Sequence, residues 1–172
     1  MHENSLELFK KYALPYFKDN MEVLEVGPDG YPSSYCNIIQ GVNWTYGDLY
    51  QKDASDYIWF KEEYTPDTDR KFDLILSGQV IEHVRKPWRW VQALANLLKP
   101  NGYLILINPV SWPYHEAPVD CWRIYPEGIK ALFDDAGLQC VMSIYEGLVG
   151  QHCCAGNKVI DTFSVGQKIN KA

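Results

Sequence analysis

The sequence predicts an α/β protein whose doubly wound, mostly parallel sheet is covered by helices on both faces. Short apolar runs of strand length alternate with segments whose apolar residues recur at helical spacing. The 172 residues are 47% hydrophobic and 22% charged, which suits a single compact domain with a core of respectable size. We therefore expect one domain over residues 1–172.

The charge balance argues against nucleic acid and membranes as partners. The formal net charge is -6, so no global positive field exists to hold a phosphate backbone. The basic cluster of Arg85, Lys86 and Arg89 could imitate a nucleic-acid patch, but it lies at the start of a predicted helix and favours a surface helix face. No apolar run is typical of a signal peptide or of a membrane span.

The cysteine pattern predicts a cytoplasmic protein without a structural metal. The chain has five cysteines and no CxxC spacing, which is typical of reduced thiols. The adjacent residues His152, Cys153 and Cys154 do not easily converge on one tetrahedral site, and partners at a useful spacing are missing. We therefore expect no metal ligands.

Apolar spacing and turn residues predict the order of the elements. The first half contains a helix over residues 6–17 that Pro15 bends or ends, a strand over 21–26, a short helix through Ile39 that Ser33 or Ser34 caps, and strands over 43–46 and 57–60. The second half contains a strand over 72–77, a helix from about Pro87 to 99 and a strand over 103–107. A long loop over 108–125, a helix from about Pro126 to Gly137 and strands over 140–145 and 162–165 follow. This alternation implies parallel pairing.

The turns that follow the first two strands carry candidate ligand contacts. In such sheets, ligands bind at the carboxyl ends of the strands near the topological switch point. Gly27 and Gly30 would let the backbone approach a ligand closely, and Glu25 places a carboxylate beside that approach. Asp48 lies about 20 residues further on, where an acidic side chain commonly takes the ribose hydroxyls of an adenosine ligand. Ordinary turn chemistry would explain each residue taken alone.

Three segments together resemble the class I S-adenosylmethionine-dependent methyltransferases. Residues 23–27 (Val-Leu-Glu-Val-Gly) are similar to the family's first motif. Residues 72–84 (Phe-Asp-Leu-Ile-Leu-Ser-Gly-Gln-Val-Ile-Glu-His-Val) are similar to its fourth-strand motif, and residues 98–104 (Leu-Lys-Pro-Asn-Gly-Tyr-Leu) to its passage into the fifth strand. The resemblance covers about residues 21–168. It implies a Rossmann-like fold with a seven-stranded sheet and a final antiparallel strand, and S-adenosyl-L-methionine as the cofactor.

The resemblance also implies which residues hold that cofactor. Glu25 would lie near its amino end, Gly27 beneath it and Asp48 on the ribose. The residues expected beside the methionine portion are Ser77, Gly78 and Gln79. Glu62 or Glu63 is the candidate for the adenine contact. Packing at the end of the strand alone could account for Gly78 and Gln79.

Two residues depart from the family's first motif. The family usually carries a glycine where Asp29 stands and often another where Tyr31 stands. A side chain at either position would crowd the cofactor or reshape the loop, which leaves open weak cofactor affinity or a loop that orders only on binding. The short connection between Gly30 and Asp48 also implies an abbreviated first crossover helix.

Histidines near the functional edge of the sheet are the candidate catalytic groups. Methyl transfer to a hydroxyl requires positioning of the acceptor and a base that removes its proton, and histidine suits that task near neutral pH. His115 in the long loop is the favoured base, His83 is the second candidate, and Asp120 would orient a histidine. In the structural alternative, His83 caps the following helix and Asp120 forms an ion pair with Arg123.

The loop around His115 also supplies candidate acceptor contacts. Tyr114 and Trp122 could stack on a sugar or aromatic acceptor or pack in the core, and Arg123 could bind an anionic acceptor. Residues 113–123 resemble a loop of bacterial methyltransferases of glycan and secondary-metabolite pathways. We expect methyl transfer to a small-molecule or sugar acceptor at oxygen, with nitrogen and carbon acceptors left open.

Two other functions match parts of the pattern. A nicotinamide-dependent oxidoreductase shares the strand, the glycine turn and the acidic residue, but the full GxGxxG is absent. A degenerate cofactor-binding partner subunit without turnover would explain Asp29 and the small size. Because an acceptor-covering segment is hardly present, a homodimer could complete the pocket.

Overall fold

A computed structural model describes residues 2–50, 57–61, 64–116, 118–148 and 158–169. The helices are α1 (Glu3–Tyr12), α2 (Pro87–Leu97) and α3 (Pro126–Asp135). The strands are β1 (Glu22–Val26), β2 (Asn43–Asp48), β3 (Tyr57–Trp59), β4 (Phe72–Gly78), β5 (Leu98–Ser111), β6 (Gln139–Glu146) and β7 (Ile160–Gln167). Single 3-10 turns lie at Leu14–Tyr16, Cys36–Ile38 and Ile81–His83.

The seven strands form one sheet in the order β3-β2-β1-β4-β5-β7-β6. The first five strands of this order pair in parallel, and β7 runs antiparallel to both β5 and β6. The expected mostly parallel, seven-stranded sheet with an antiparallel final strand is confirmed. The chain order reverses between β1 and β4, so the topological switch point, where such folds bind ligands, lies at the carboxyl ends of these two strands.

Helices cover both faces of the sheet, as expected. Apolar residues of α2 and α3, such as Trp90 and Phe133, pack on one face in a cluster that includes Ile75 of β4. On the other face, Phe9 of α1 packs in a cluster with Leu74 of β4. Successive residues of β4 point to opposite faces because the side-chain period of a strand is two. Each fully buried large apolar side chain contributes roughly 1.5–3 kcal/mol to the free energy of unfolding.

Element identities agree with the prediction, and several element ends differ. The opening helix ends at Tyr12 and is followed by the 3-10 turn Leu14–Tyr16, because Pro15 has no N–H for a continuing α-helix. β5 is much longer than residues 103–107, since Leu98 also pairs with Phe72 and Ser111 pairs with Ile160. The crossover between β1 and β2 contains only the 3-10 turn Cys36–Ile38, which confirms the abbreviated helix.

Candidate active site

A cleft of about 490 Å³ lies at the carboxyl ends of β1, β2, β4 and β5. Its volume falls within the range of small-molecule and cofactor sites. The cleft is therefore at the switch point, where the fold predicts a ligand. Seven of the predicted cofactor-binding and catalytic residues line it: Glu25, Gly27, Asp48, Gly78, Gln79, His83 and His115.

Glu25 is a buried carboxylate on the wall of the cleft. Its residue is 1% exposed, and its Oε2 accepts hydrogen bonds from Ser33 Oγ and from Trp44 Nε1 at 3.0 Å. Burial raises the pKa of Glu25 to about 7, and the two hydrogen bonds only partly offset this effect. A cationic ligand group in the cleft would stabilise the ionised form.

The backbone approaches the cleft closely at two glycines. Gly27 has a φ of +75° and donates from its N–H to the carbonyl oxygen of Gly47 at 2.8 Å, and a Cβ there would overlap Val80. At Gly78, the end of β4, a Cβ would collide with the ring and hydroxyl of buried Tyr35. Both positions therefore require glycine for local packing, beside any contact that they make with a ligand.

The two departures from the family's first motif are accommodated without filling the cleft. Asp29 accepts hydrogen bonds from Ser34 N at 2.8 Å and Ser34 Oγ at 2.6 Å, so its carboxylate orders the loop. Tyr31 is 51% exposed and its ring contacts that of Tyr46 edge-on at 4.9 Å. Asp29 lines the cleft with its carboxylate bound to Ser34, and Tyr31 is not among the residues that line it.

The amino-terminal segment forms a wall that the sequence did not reveal. His2 lines the cleft, its ring stacks on Trp112 at 4.5 Å, and its Nε2 lies 3.1 Å from Oδ1 of fully buried Asp161. Gln79 Nε2 donates to the same Oδ1 at 3.1 Å. No sequence signal joins His2 to Trp112, because they are far apart along the chain and meet only through the sheet.

His83, which follows β4, and His115, which follows β5, lie side by side in the cleft. Their rings meet edge-on at 4.8 Å, and both line the cleft. His83 Nδ1 is 2.6 Å from the carbonyl oxygen of Val119, so His83 does not cap α2. His115 Nδ1 is 3.2 Å from the carbonyl oxygen of Pro113 and 3.3 Å from Asp120 Oδ2.

Asp120 and Arg123 organise the loop that carries His115. Arg123 donates from both terminal nitrogens to the Asp120 carboxylate, and Asp120 Oδ2 also accepts from His115 N at 2.8 Å. The hydrogen bond from Arg123 lowers the pKa of Asp120 to about 2. The predicted ion pair is present, and the orienting role of Asp120 stays a prediction that its 3.3 Å distance from His115 Nδ1 allows.

Glu82 is a buried acid next to His83 and His115. It is part of the motif over residues 72–84, but the sequence indicated no function for it. It is 1% exposed, and neither carboxylate oxygen has a hydrogen-bond partner among the described residues. Burial raises the pKa of Glu82 to about 8. Its Oε1 lies 3.7 Å from His83 Nε2.

The remaining predicted site residues lie outside the lining of the cleft. Ser77 is buried at the end of β4, and its Oγ has no hydrogen-bond partner among the described residues. Trp122 Nε1 donates to the Val84 carbonyl oxygen at 2.8 Å, and Tyr114 is 71% exposed. Gly30 and Arg123 are likewise absent from the lining. Glu62, Glu63 and residues 152–154 lie outside the described residues.

Fold and cleft together define a class I methyltransferase architecture. The family described as methyltransferase domain matches residues 2–143. The chain belongs to this family and is an S-adenosylmethionine-dependent methyltransferase. The nicotinamide-dependent oxidoreductase hypothesis is therefore wrong.

Among the described residues, no helix has both the length and the apolar character needed to cross a membrane.

Individual relatives are distant or cover a short stretch. The chain is 41% identical over 51 residues to the mitochondrial ubiquinone biosynthesis O-methyltransferase of Arabidopsis thaliana, which is 30% of this chain and 16% of that protein. The structure of the complex between the Haloferax volcanii Trm112 methyltransferase activator and a methyltransferase superposes with a TM-score of 0.70 at 15% identity, over 95% of this chain and 89% of that one. The Burkholderia thailandensis 1,6-didemethyltoxoflavin N1-methyltransferase, with bound S-adenosylhomocysteine, superposes with a TM-score of 0.65 at 15% identity. The superposition covers 97% of this chain and 77% of that one.

Proposed function

We propose that this protein transfers a methyl group from S-adenosylmethionine to an oxygen atom of a small-molecule or sugar acceptor. One observation carries the proposal: the cleft has an acidic side and a histidine side. The acidic side consists of Glu25, Asp29 and Asp48, which lie at or after the ends of β1 and β2. The histidine side consists of His83 and His115, which follow β4 and β5, and of His2, which stacks on Trp112. Acids suit a cofactor that carries ammonium and sulfonium charges, whereas imidazoles suit an acceptor that must lose a proton.

The residues present match the chemistry of the cofactor. Glu25 would accept from its ammonium group and Asp48 from the ribose hydroxyls, and the glycine backbones at 27 and 78 would leave room beside them. Gln79, directly after β4, lines the cleft and would lie beside the methionine portion, and Ser77, whose Oγ has no hydrogen-bond partner among the described residues, would support it from behind the lining. S-adenosylmethionine supplies an electrophilic methyl group. The protein's own task is to hold this group in line with the acceptor oxygen.

The histidine side serves the acceptor. His115 and His83 promote loss of the acceptor's hydroxyl proton, and Asp120 orients His115 through its Nδ1 side. Trp122 and Arg123 act through the loop that they hold, and exposed Tyr114 is free to contact an acceptor that extends from the cleft. The named activity of the Arabidopsis relative supports an oxygen acceptor, whereas the Burkholderia enzyme acts on nitrogen.

Calorimetry tests the cofactor half of the proposal. We expect S-adenosylmethionine and S-adenosylhomocysteine to bind with one site per chain and NAD not to bind. Glu25→Gln should weaken S-adenosylhomocysteine binding by at least about tenfold, because a neutral amide replaces the partner of the ammonium group. Unchanged affinity in a folded Glu25→Gln variant would contradict the assigned cofactor orientation.

Turnover over a panel of sugars, phenols and carboxylic acids tests the acceptor half. His115→Ala should bind S-adenosylhomocysteine like the wild type and lose about 10²- to 10⁴-fold in turnover. Binding without turnover on every acceptor would favour the partner-subunit function, and sedimentation would then show whether a homodimer or a second protein completes the pocket. Normal turnover of His115→Ala would remove His115 from the mechanism.

A further inference from the structure

Three side chains beside the cleft bring potential metal-ligand atoms together. Glu82, His83 and His115 each offer one carboxylate oxygen or imidazole nitrogen, and these atoms lie within 4.8 Å of one another. Three atoms at that spacing share a point about 2.8 Å or less from each, whereas zinc–nitrogen and zinc–oxygen bonds are about 2.0–2.2 Å. Side-chain rotations that move each atom by under about 1 Å would therefore complete a coordination sphere.

The carboxylate of Glu82 makes no hydrogen bond among the described residues. It is 1% exposed and both oxygens lack a hydrogen-bond partner within the described part of the chain. An unsatisfied buried acid is destabilising and uncommon in folded proteins. Arg123, whose charge acts on Glu82, is already committed to Asp120 by two hydrogen bonds. A bound cation would satisfy the Glu82 carboxylate directly.

Both imidazoles are held in the tautomer that metal ligands adopt. Carbonyl oxygens only accept hydrogen bonds, so the contacts of His83 Nδ1 with Val119 O and of His115 Nδ1 with Pro113 O place the ring proton on Nδ1. Nε2 of each ring then carries a free lone pair. Metal-bound histidines typically donate their other ring N–H to a carbonyl or carboxylate in this way.

We infer that Glu82, His83 and His115 bind a divalent transition-metal ion whose open position faces the cleft. Two imidazoles and one carboxylate favour Zn²⁺, Fe²⁺, Co²⁺ or Ni²⁺ over Mg²⁺ and Ca²⁺, which prefer oxygen ligands alone. His83 and His115 both line the cleft, so a ligand entering it reaches the ion. Three protein ligands with one open position is the pattern of catalytic rather than structural zinc.

The role of the ion rests on the proposed function. The acceptor hydroxyl occupies the open position, and the cation lowers its pKa as it does for bound water. The O–H bond breaks with its electrons left on oxygen, and the proton passes to solvent water in the cleft. In this way His83 and His115 promote proton loss through the ion that they hold, and the oxygen becomes the nucleophile.

Metal binding is measured with the metal alone, on the full chain after treatment with a chelator. Calorimetry with Zn²⁺ and visible absorption with Co²⁺ should give one equivalent bound, with a Co²⁺ spectrum typical of nitrogen and oxygen ligands. Because His152, Cys153 and Cys154 could bind Zn²⁺ by themselves, the titrations use a Cys153→Ser/Cys154→Ser background. Thiolate absorption in the wild-type chain reports any binding at that segment.

Two ligand variants and one matched control identify the site. Glu82→Gln keeps the shape of the side chain, and His115→Gln changes a residue whose side chain is 37% exposed, so both should fold, which circular dichroism checks. Each should weaken binding of Zn²⁺ by at least about tenfold. His2→Gln removes another histidine of the same cleft that is outside the group, and it should leave the affinity within twofold.

Binding of S-adenosylhomocysteine to the metal-free chain separates this inference from the proposed function. If the chain binds S-adenosylhomocysteine but no metal, or if folded Glu82→Gln binds Zn²⁺ as the wild type does, the metal site is wrong and the methyltransferase function stands. If Zn²⁺ binds as expected and S-adenosylhomocysteine does not, the cofactor assignment is wrong instead. Equal weakening by His2→Gln would also overturn the assigned ligand set.

Discussion

Protonation of Glu25 makes the free energy of unfolding depend on pH. Its pKa is about 7 in the folded protein against 4.5 for an unperturbed glutamate, so between these pH values the folded state binds a proton that the unfolded state has lost. The free energy of unfolding therefore falls as the pH rises from 4.5 to 7, by at most about 3 kcal/mol, and this contribution is flat above pH 7.

Glu25→Gln should remove that pH dependence, because an amide does not titrate. Urea unfolding of both proteins between pH 4.5 and 8 measures the effect: the difference in free energy of unfolding should shift in favour of the variant as the pH rises. The control is Glu7→Gln, which changes an exposed acid of α1. Parallel curves for wild type and Glu25→Gln would contradict the elevated pKa.

The glycine turn after β1 offers a matched pair of substitutions. Gly27→Ala forces a side chain onto a φ of +75° and into Val80, which should lower the free energy of unfolding by about 2–4 kcal/mol. At Gly30, the nearest atom to an added Cβ is the Pro32 carbonyl oxygen at 3.4 Å, an ordinary contact. Gly30→Ala should therefore change the free energy of unfolding by no more than about 0.5 kcal/mol. Thermal melts of both variants and the wild type measure the difference.

At the scale of elements, a buried amide helps to join helix α1 to the far edge of the sheet. Asn4 Nδ2 donates to Glu146 O at 3.0 Å and to Asp161 Oδ2 at 2.6 Å, and Asn4 Oδ1 accepts from Leu148 N at 2.6 Å. Asn4→Ala leaves these groups without that partner and should lower the free energy of unfolding by about 2–3 kcal/mol. Glu7→Ala on the exposed face of α1 should cost under about 0.5 kcal/mol in the same urea titration.

The loop after β5 depends on Asp120 for its order. Asp120→Asn weakens the paired hydrogen bonds with Arg123 and the one from His115 N. Hydrogen exchange of the His115 amide should accelerate roughly tenfold, since a bond to a charged acceptor is worth about 1.5 kcal/mol. Glu116→Gln, which meets only the exposed Tyr114 hydroxyl among the described contacts, should leave that exchange rate unchanged. An effect confined to Glu116→Gln would reverse the assigned roles.

Element identity was predictable because it depends on neighbours in sequence. The 3.6-residue spacing of α2 and the apolar run of β4 are local patterns, and both elements are found where they were expected. The ends of the elements were not predictable. β5 extends to Leu98 and Ser111 because Phe72 and Ile160 of other strands pair with them. Pairing between distant segments leaves no local mark in the sequence.

For the whole molecule, cofactor binding should appear as thermal stabilisation. A ligand at about 100 times its Kd adds about 2.7 kcal/mol to the free energy of unfolding, which for a chain of this size raises Tm by about 5–10 °C. S-adenosylhomocysteine should produce this shift in the wild type and in His115→Ala, and a smaller one in Glu25→Gln. NAD serves as the control ligand and should produce none.

The sequence by itself determined the parallel α/β sheet, the glycine turn with its flanking acids, and the methyltransferase resemblance carried by residues 23–27 and 72–84. These features are recorded locally, in periodicity and in backbone geometry that only glycine tolerates. Only the tertiary structure decided which side chains share the cleft. It brought His2 beside Trp112 and buried Glu82 next to His83 and His115, because burial and contact across the sheet arise from packing between segments far apart in the chain.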